Sequence, residues 1–160
     1  ANVGIAPVFP RKYTATPEHT PEAFAQMNTI TYASPMDVNI YRYTAVLLGH
    51  SEALNESGDT AGAYAGVNKV RTRAGLPELT PGLSQSDMRD AILYESRVEH
   101  ALEGRRYYDL KRAGRLMETV NSNQGWDLHG GANYKAHYDL WPLPGSFVDN
   151  SPAIEQNPGY

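Results

Sequence analysis

Apolar residues recur at helical spacing in the middle of the chain. Residues 39–57 place apolar side chains every three or four positions, as an amphipathic helix does. Gly58 can take the left-handed conformation that ends a helix, and Asp59 can cap the next one. That second helix is predicted over residues 60–74, before Gly75 and a following proline. Two helices joined by a Gly-Asp turn predict a tetratricopeptide-like hairpin.

A second pair of helices is predicted further along the chain. The third helix spans residues 84–103, since Ser84 and Asp87 have the spacing of a capping box. Gly104 interrupts the apolar pattern, and a fourth helix is predicted from there through Leu116. The predicted fold class is therefore all-α, with a helical hairpin followed by a second helix pair.

The two ends of the chain are irregular by contrast. Residues 1–38 contain five prolines and residues 140–160 contain four. Proline removes a backbone donor and restricts the residue before it, so long helices are disfavoured there. We interpret residues 1–38 as a loop-rich connection from a missing upstream part, and residues 39–160 as a helical domain. Within that domain, residues 121–139 predict a loop or short hairpin, and the proline-rich tail is expected to lie extended over the helices.

Composition narrows the classes of function. The chain has 160 residues, 41% of them hydrophobic and 20% charged, which suits one globular domain with a core. No apolar run approaches the ~20 residues of a membrane-spanning helix. The net charge of −4 argues against a nucleic-acid partner, because phosphate binding needs a basic surface. Cysteine is absent, which excludes disulfides and thiolate-bound metals within this chain.

The densest cluster of charge falls on the third and fourth predicted helices. Its members are Glu95, Arg97, Glu99, Glu103, Arg106, Asp109 and Arg112. The three glutamates share one helical line, where they repel one another unless cations lie nearby. Paired carboxylates could serve glycoside hydrolysis or metal binding. We favour a structural ion-pair network, because so many arginines would hold the carboxylates in their ionised form.

Other catalytic and metal-binding signals are missing. The five histidines share no ligand spacing, and no nucleophile elbow or phosphate-binding loop is present. His100 and Glu103 are three residues apart and could hold a metal, but a solvated helix face is the favoured interpretation. No catalytic residue, metal or cofactor is predicted.

Aromatic residues are the remaining candidates for ligand binding. The chain has 11 tyrosines but only 3 phenylalanines, and tyrosine offers an apolar face with a polar hydroxyl. Trp126, Tyr134 and Tyr138 lie in or beside the polar loop, where they could stack on a sugar or a partner. Trp141, which precedes a proline, is expected to be buried against the helices.

Four blocks of sequence resemble, in the same order, the SusD/RagB family. They are YRYTAVLL with SEALNE at 41–56, NKVRTRAGLP at 68–77, the run at 95–112 that ends in RYYDLKR, and the ending LWPLP with QNPGY. Three residues depart from the usual pattern. Ser96 stands where the family usually has an arginine, His100 where it prefers an aliphatic residue, and Ala113 where an aromatic residue is common.

The resemblance implies the C-terminal part of a surface lipoprotein of a Bacteroidetes-type bacterium. Family members bind oligosaccharide, or in some cases peptide, and work with a SusC-like TonB-dependent transporter without being enzymes. The lipid anchor would lie on a missing N-terminal part at the outer membrane. No ligand residue is carried over from the family, and the seven charged positions are expected to maintain the fold. The alternatives are a free-standing helical scaffold that binds a protein and a glycoside-active enzyme that uses Glu95 and Glu99.

Overall fold

The computed structural model describes residues 39–122 and 134–160, together with positions 17, 18, 20–22 and 25. These residues contain helices and no strand, which confirms the all-α class. The helices are α1 (Tyr43–Glu56), α2 (Thr60–Arg73), α3 (Gln85–Glu99), α4 (Arg106–Arg112), α5 (Leu116–Ser122), a 3-10 helix (Ala136–Asp139) and α6 (Gly145–Asp149). Across the described part of the chain, none of these helices has the length and apolar character needed to span a membrane.

The chain divides into two compact units, Ala1–Ile92 and Leu93–Tyr160. The boundary lies within α3, so the first half of that helix belongs to the first unit and the second half to the second. The expected division into a connection at residues 1–38 and a domain at residues 39–160 stays a prediction.

Local signals at the ends of α1 and α2 act as the sequence indicates. Gly58 has a φ of +95°, and the N–H of Asp59 donates to the Leu54 carbonyl at 2.9 Å, closing α1. The Asp59 carboxylate then accepts the N–H of Gly62 at 2.8 Å, capping α2. Gly75 ends α2 in the same left-handed conformation, with a φ of +75°. The predicted helical hairpin is confirmed.

The core of the first unit lies between the hairpin and the start of α3. Its buried apolar residues are Leu48, Ala63, Val67, Val70, Met88 and Ile92. Gly66 lets α1 and α2 approach closely, since a Cβ at that position would meet the Ser51 hydroxyl and the Leu47 carbonyl oxygen. The carbonyl oxygen would be only 2.8 Å from it. A side chain at residue 66 would therefore push the two helices apart.

Polar side chains fasten the end of α1 to the start of α3. Asn55 is fully buried; its amide donates to the Gln85 carbonyl at 2.9 Å and accepts the Thr60 hydroxyl at 2.9 Å. At the surface, Arg89 forms a bidentate salt bridge with Glu56, in which Nε donates to Oε1 at 2.7 Å and Nη2 donates to Oε2 at 2.6 Å. The hydrogen bond from Arg89 lowers the pKa of the Glu56 carboxyl. These contacts fix where α3 begins, and Ser84 caps it by accepting the N–H of Asp87 at 3.1 Å.

Two predicted boundaries in the second unit are wrong. Helix α3 ends at Glu99 and not at 103, because residues 100–104 turn through left-handed backbone at Leu102 and Gly104, with φ of +66° and +72°. The predicted fourth helix is broken in two at Gly114, which has a φ of +67°. Leu116 therefore starts a separate helix, α5.

The core of the second unit is small. Leu93, Leu110 and Leu116 are buried together, with Val120 and Tyr134 packed against them. The tail contains the short helix α6, so it is not extended throughout. An extended brace over the helices stays a prediction for the rest of the tail.

Candidate functional site

The buried polar residues described in the second unit lie on the second half of α3, directly after its end, and on α4. They are Glu95, Ser96, Glu99, His100 and Asp109. His100 is only 4% exposed, so its expected place on a solvated helix face is wrong. His100 lies one helical turn after the buried Ser96, and its N–H still donates to the Ser96 carbonyl at 3.0 Å, so the imidazole continues the buried side of α3. Buried polar groups are costly without hydrogen bonds, and this cluster is correspondingly linked.

Ser96 lies between two of these groups. Its hydroxyl donates to Asp109 Oδ2 at 2.7 Å and lies 3.2 Å from His100 Nδ1. A serine hydroxyl has one proton, so its oxygen can only accept from the histidine. Nδ1 of His100 therefore carries a proton. Ser96 and His100, two of the three residues expected to depart from the family pattern, thus contact each other.

The Ser96, His100 and Asp109 cluster does not have the arrangement of a catalytic triad. In a triad the histidine lies between the carboxylate and the serine, and removes the proton of the serine. Here the serine lies between the other two, and its hydroxyl donates a hydrogen bond to the carboxylate. Ser96 is also buried, which keeps a substrate from the hydroxyl. The arrangement stabilises the junction of α3 and α4.

The structure brings together some members of the predicted ion-pair network. Arg112 forms a salt bridge with the buried carboxylate of Asp109 at 3.2 Å. The Arg106 guanidinium donates to the Leu93 carbonyl at 3.3 Å, and its pKa is lowered by burial and then by the charge of Arg97. The wider network stays a prediction.

The candidate catalytic glutamates are not on an open surface. Glu95 and Glu99 are 4% and 8% exposed, whereas Glu103 lies beyond the helix end and is half-buried. Glycoside hydrolysis needs two carboxyl groups that flank a bound sugar. Within residues 39–122 and 134–160, no three acidic or histidine side chains lie close enough together to hold a metal ion.

Of the three aromatic candidates, Trp126 lies outside the described residues. Tyr134 contributes to the fold, since it packs against the leucine core of the second unit. Its backbone N–H donates to the Asn121 side chain at 2.9 Å, and its hydroxyl donates to Asp139 Oδ1 at 3.0 Å. Partial burial, together with the hydrogen bond to Asp139, raises the pKa of the Tyr134 hydroxyl to about 12.

Tyr138 belongs to an aromatic cluster that the structure assembles. Its ring meets Tyr134 edge to face at a centroid distance of 5.7 Å, and His137 at 4.4 Å. His137 in turn meets Tyr160, the last residue, at 5.0 Å. Tyr138 remains 41% exposed and could contact a ligand. Sequence reasoning missed His137 and Tyr160, since nothing in their local pattern links residues that are 23 positions apart.

Trp141 is the most exposed aromatic residue described in the second unit, with 81% of its surface accessible. The expectation that it is buried against the helices is wrong. The proline after Trp141 restricts its backbone, but the indole is not among the side chains that form the leucine core.

A shallow groove of about 600 Å³ runs beside α2 in the first unit. Its polar groups already hold the neighbouring loop. The Tyr64 hydroxyl accepts the N–H of Leu83 at 2.9 Å, and the Asn68 side chain accepts the N–H of Leu79 at 2.9 Å. We interpret this groove as structural.

Comparison with known proteins gives consistent matches. Residues 8–160 match the family described as the SusD family. The chain is 39% identical over 129 residues to SusD-like protein P2 of Formosa agariphila, covering 74% of this chain and 25% of that protein. It is 32% identical over 129 residues to the starch-binding protein SusD of Bacteroides thetaiotaomicron, covering 78% of this chain and 22% of that one.

Solved structures give the same result for the fold. A SusD homologue from Bacteroides thetaiotaomicron superposes with a TM-score of 0.65 at 30% identity, covering 82% of this chain and 30% of that one. A SusD-like protein from Bacteroides fragilis superposes with a TM-score of 0.62 at 30% identity, covering 76% and 25%. The chain spans about a quarter of the length of the curated relatives it matches.

Proposed function

The chain belongs to the SusD family, and we propose that it forms part of a cell-surface protein that binds oligosaccharides for import. The observation that carries this proposal is the family match, which extends over residues 8–160. One relative is named a starch-binding protein, and this name supports glycan as the ligand class. The resemblance noted from four ordered sequence blocks is confirmed by the same match.

The surface chemistry of the second unit supports a binding role. Tyr138, Trp141 and Tyr160 expose aromatic rings, and the apolar C–H face of a sugar packs on such rings while its hydroxyls remain in water. Stacking on these rings does not require a charged ligand, so a neutral oligosaccharide is compatible with the net charge of −4 of this chain.

We propose binding without turnover. The two glutamates of the enzyme alternative, Glu95 and Glu99, are buried on α3, where a sugar ring has no room between them. If the chain were a glycosidase, new reducing ends would form from an oligosaccharide and would stop forming in the Glu99→Ala variant. We expect no reducing ends from either protein, and a lower free energy of unfolding for the variant.

The proposed partner is a SusC-like TonB-dependent transporter in the outer membrane, with a lipid anchor on an N-terminal part outside this chain. Family membership supports both parts of this proposal. The test is a pull-down from detergent-solubilised source cells with an antibody to residues 39–122, followed by mass spectrometry. The expected product is lipid-bearing, several times longer than 160 residues and bound to a large β-barrel protein.

The glycan role is tested on the same native product. Calorimetric titration with maltoheptaose, laminarihexaose and xylohexaose is expected to give binding to at least one of them. A hydrolysed casein peptide mixture serves as the matched probe for the peptide-binding alternative. Recovery of a soluble product without a barrel protein, and without binding to any of the sugars, would favour the helical scaffold instead.

A further inference from the structure

Residues 139–143 form a short segment whose backbone is held by side chains from elsewhere in the second unit. The carbonyl oxygen of Asp139 accepts a hydrogen bond from Lys111 Nζ at 2.6 Å. The carbonyl oxygen of Leu140 accepts one from the Tyr160 hydroxyl at 3.0 Å. Both donors lie at least 20 residues away along the chain, so these contacts are tertiary and not part of a local turn.

The same arrangement continues around Trp141. Its carbonyl oxygen accepts a hydrogen bond from Asn157 Nδ2 at 2.6 Å. The Gln156 side chain binds both the N–H and the carbonyl of Leu143, at 2.7 and 2.9 Å. Pro142, between them, has its φ fixed by the ring. The backbone is therefore anchored on both sides of Trp141.

The side chain at the centre of this anchored segment is in water. The indole of Trp141 is 81% exposed, and the neighbouring Leu140 is 53% exposed. Four side chains thus hold the backbone of this segment in place, while its largest apolar side chain, the indole of Trp141, is not part of the described core. An aromatic group that is exposed but already positioned loses little conformational entropy when a ligand covers it.

We propose that Trp141 is a stacking platform for a pyranose ring of an oligosaccharide. This inference rests on the proposed glycan-binding function and adds a site to it. The indole face is large, flat and uncharged, which matches the apolar C–H face of a sugar. Tyr138, three residues earlier and 41% exposed, lies just before this segment and adds a second exposed aromatic ring.

The test uses the full 160-residue chain with Trp126→Phe, which leaves Trp141 as its only tryptophan. Maltoheptaose, laminarihexaose and xylohexaose are titrated while the emission and the acrylamide quenching of Trp141 are recorded. We expect water-exposed emission in the free chain, followed by a blue shift and protection from quenching with at least one of the sugars. In the wild-type chain, Trp141→Ala is expected to weaken that sugar's binding by at least about tenfold.

Two further variants separate stacking from a general loss of structure. Phe147→Ala removes another exposed aromatic residue of the tail and is expected to leave the affinity unchanged. Asn157→Ala keeps the indole but removes the hydrogen bond to its carbonyl, so an intermediate loss of affinity is expected.

The outcomes distinguish this site from the broader function. If a sugar binds calorimetrically while the Trp141 emission and the Trp141→Ala affinity do not change, the platform is refuted and the glycan role stands. If the free chain already shows a blue-shifted, protected indole, then protein covers Trp141 and the platform is likewise refuted. Absence of binding by the chain to all three sugars also overturns the platform, whereas the glycan role depends on the native product.

Discussion

Replacing Gly66 by alanine tests how closely α1 and α2 pack. Alanine favours a helix over glycine by about 1 kcal/mol, so the substitution would stabilise a helix with free space around it. At residue 66 a Cβ would lie 2.8 Å from the carbonyl oxygen of Leu47, and closer still to the Ser51 hydroxyl. The hydroxyl can rotate away, but the carbonyl moves only if α1 moves.

The expected magnitude follows from these two opposing effects. Overpacking of a close contact costs about 1–3 kcal/mol, and a backbone obstacle places Gly66→Ala near the upper end, about 3 kcal/mol. Subtracting the helix preference of about 1 kcal/mol leaves a net loss of about 2 kcal/mol in the free energy of unfolding. Gly49 provides the matched control, since it lies in α1 with no atom within 4 Å of a Cβ there. Gly49→Ala is expected to gain about 0.5–1 kcal/mol.

The measurement is urea unfolding followed by far-ultraviolet circular dichroism, with native-state hydrogen exchange of the α2 amides to locate the effect in the first unit. The double variant Gly66→Ala with Ser51→Ala should recover only part of the loss, because the Leu47 carbonyl remains. Equal stability of the Gly66→Ala and Gly49→Ala proteins would refute the close approach of the two helices. Full recovery in the double variant would show that the hydroxyl is the only obstacle.

Three further substitutions probe the second unit and the core. Ser96→Ala removes the hydroxyl that links His100 to the Asp109 carboxylate, and is expected to lower the free energy of unfolding by about 1–3 kcal/mol in urea. In a near-ultraviolet absorbance titration, the wild-type chain should show a phenol with a pKa of about 12, and Tyr134→Phe should lack it. Folding raises the Tyr134 pKa above 10.0, so the contribution of this phenol to stability is complete below pH 10 and is lost as the pH rises through about 12. The free energy of unfolding should therefore fall less between about pH 10 and 12 in Tyr134→Phe than in the wild type. Met88→Ala removes a side chain with no exposed surface, and should cost about 2–5 kcal/mol in thermal or urea unfolding.

Each of these substitutions has a matched control. Ser86→Ala changes an exposed serine on the same helix, and Met117→Ala an exposed methionine, so both should stay within about 0.5 kcal/mol of the wild type. Tyr108→Phe removes an exposed tyrosine and should leave the Tyr134 phenol, with its raised pKa, in place. A Ser96→Ala protein as stable as Ser86→Ala would contradict the linked polar cluster. If the phenol with the raised pKa is lost in Tyr108→Phe and kept in Tyr134→Phe, its assignment to Tyr134 is wrong.

Helix ends in the first unit could be predicted because their causes are local. Asp59 caps α2 through an N–H three residues ahead, and Ser84 caps α3 in the same way. Gly58 and Gly75 provide the left-handed residues that close α1 and α2. The all-α class and the hairpin follow from these signals together with the apolar spacing.

The errors in the second unit have a different origin. Gly114 lies in a charged, helix-favouring stretch, and nothing nearby in the sequence distinguishes it from a tolerated helix glycine. Leu102 adopts left-handed backbone, which is unfavourable for a leucine and which nothing in the local sequence indicates. The turn at residues 100–104 ends α3 early, and the turn at Gly114 divides the predicted fourth helix in two.

By itself, the sequence determined the helical class, the capped hairpin and the family, since these depend on backbone preferences and residue order over a few positions. Tertiary structure decided which side chains are in water. His100 is buried because Ser96 and Asp109 accommodate it, whereas Trp141 is exposed although prolines and apolar residues surround it in the sequence. The burial of a side chain depends on which residues from distant parts of the chain pack against it, and the hydrophobicity of the side chain alone does not specify those residues.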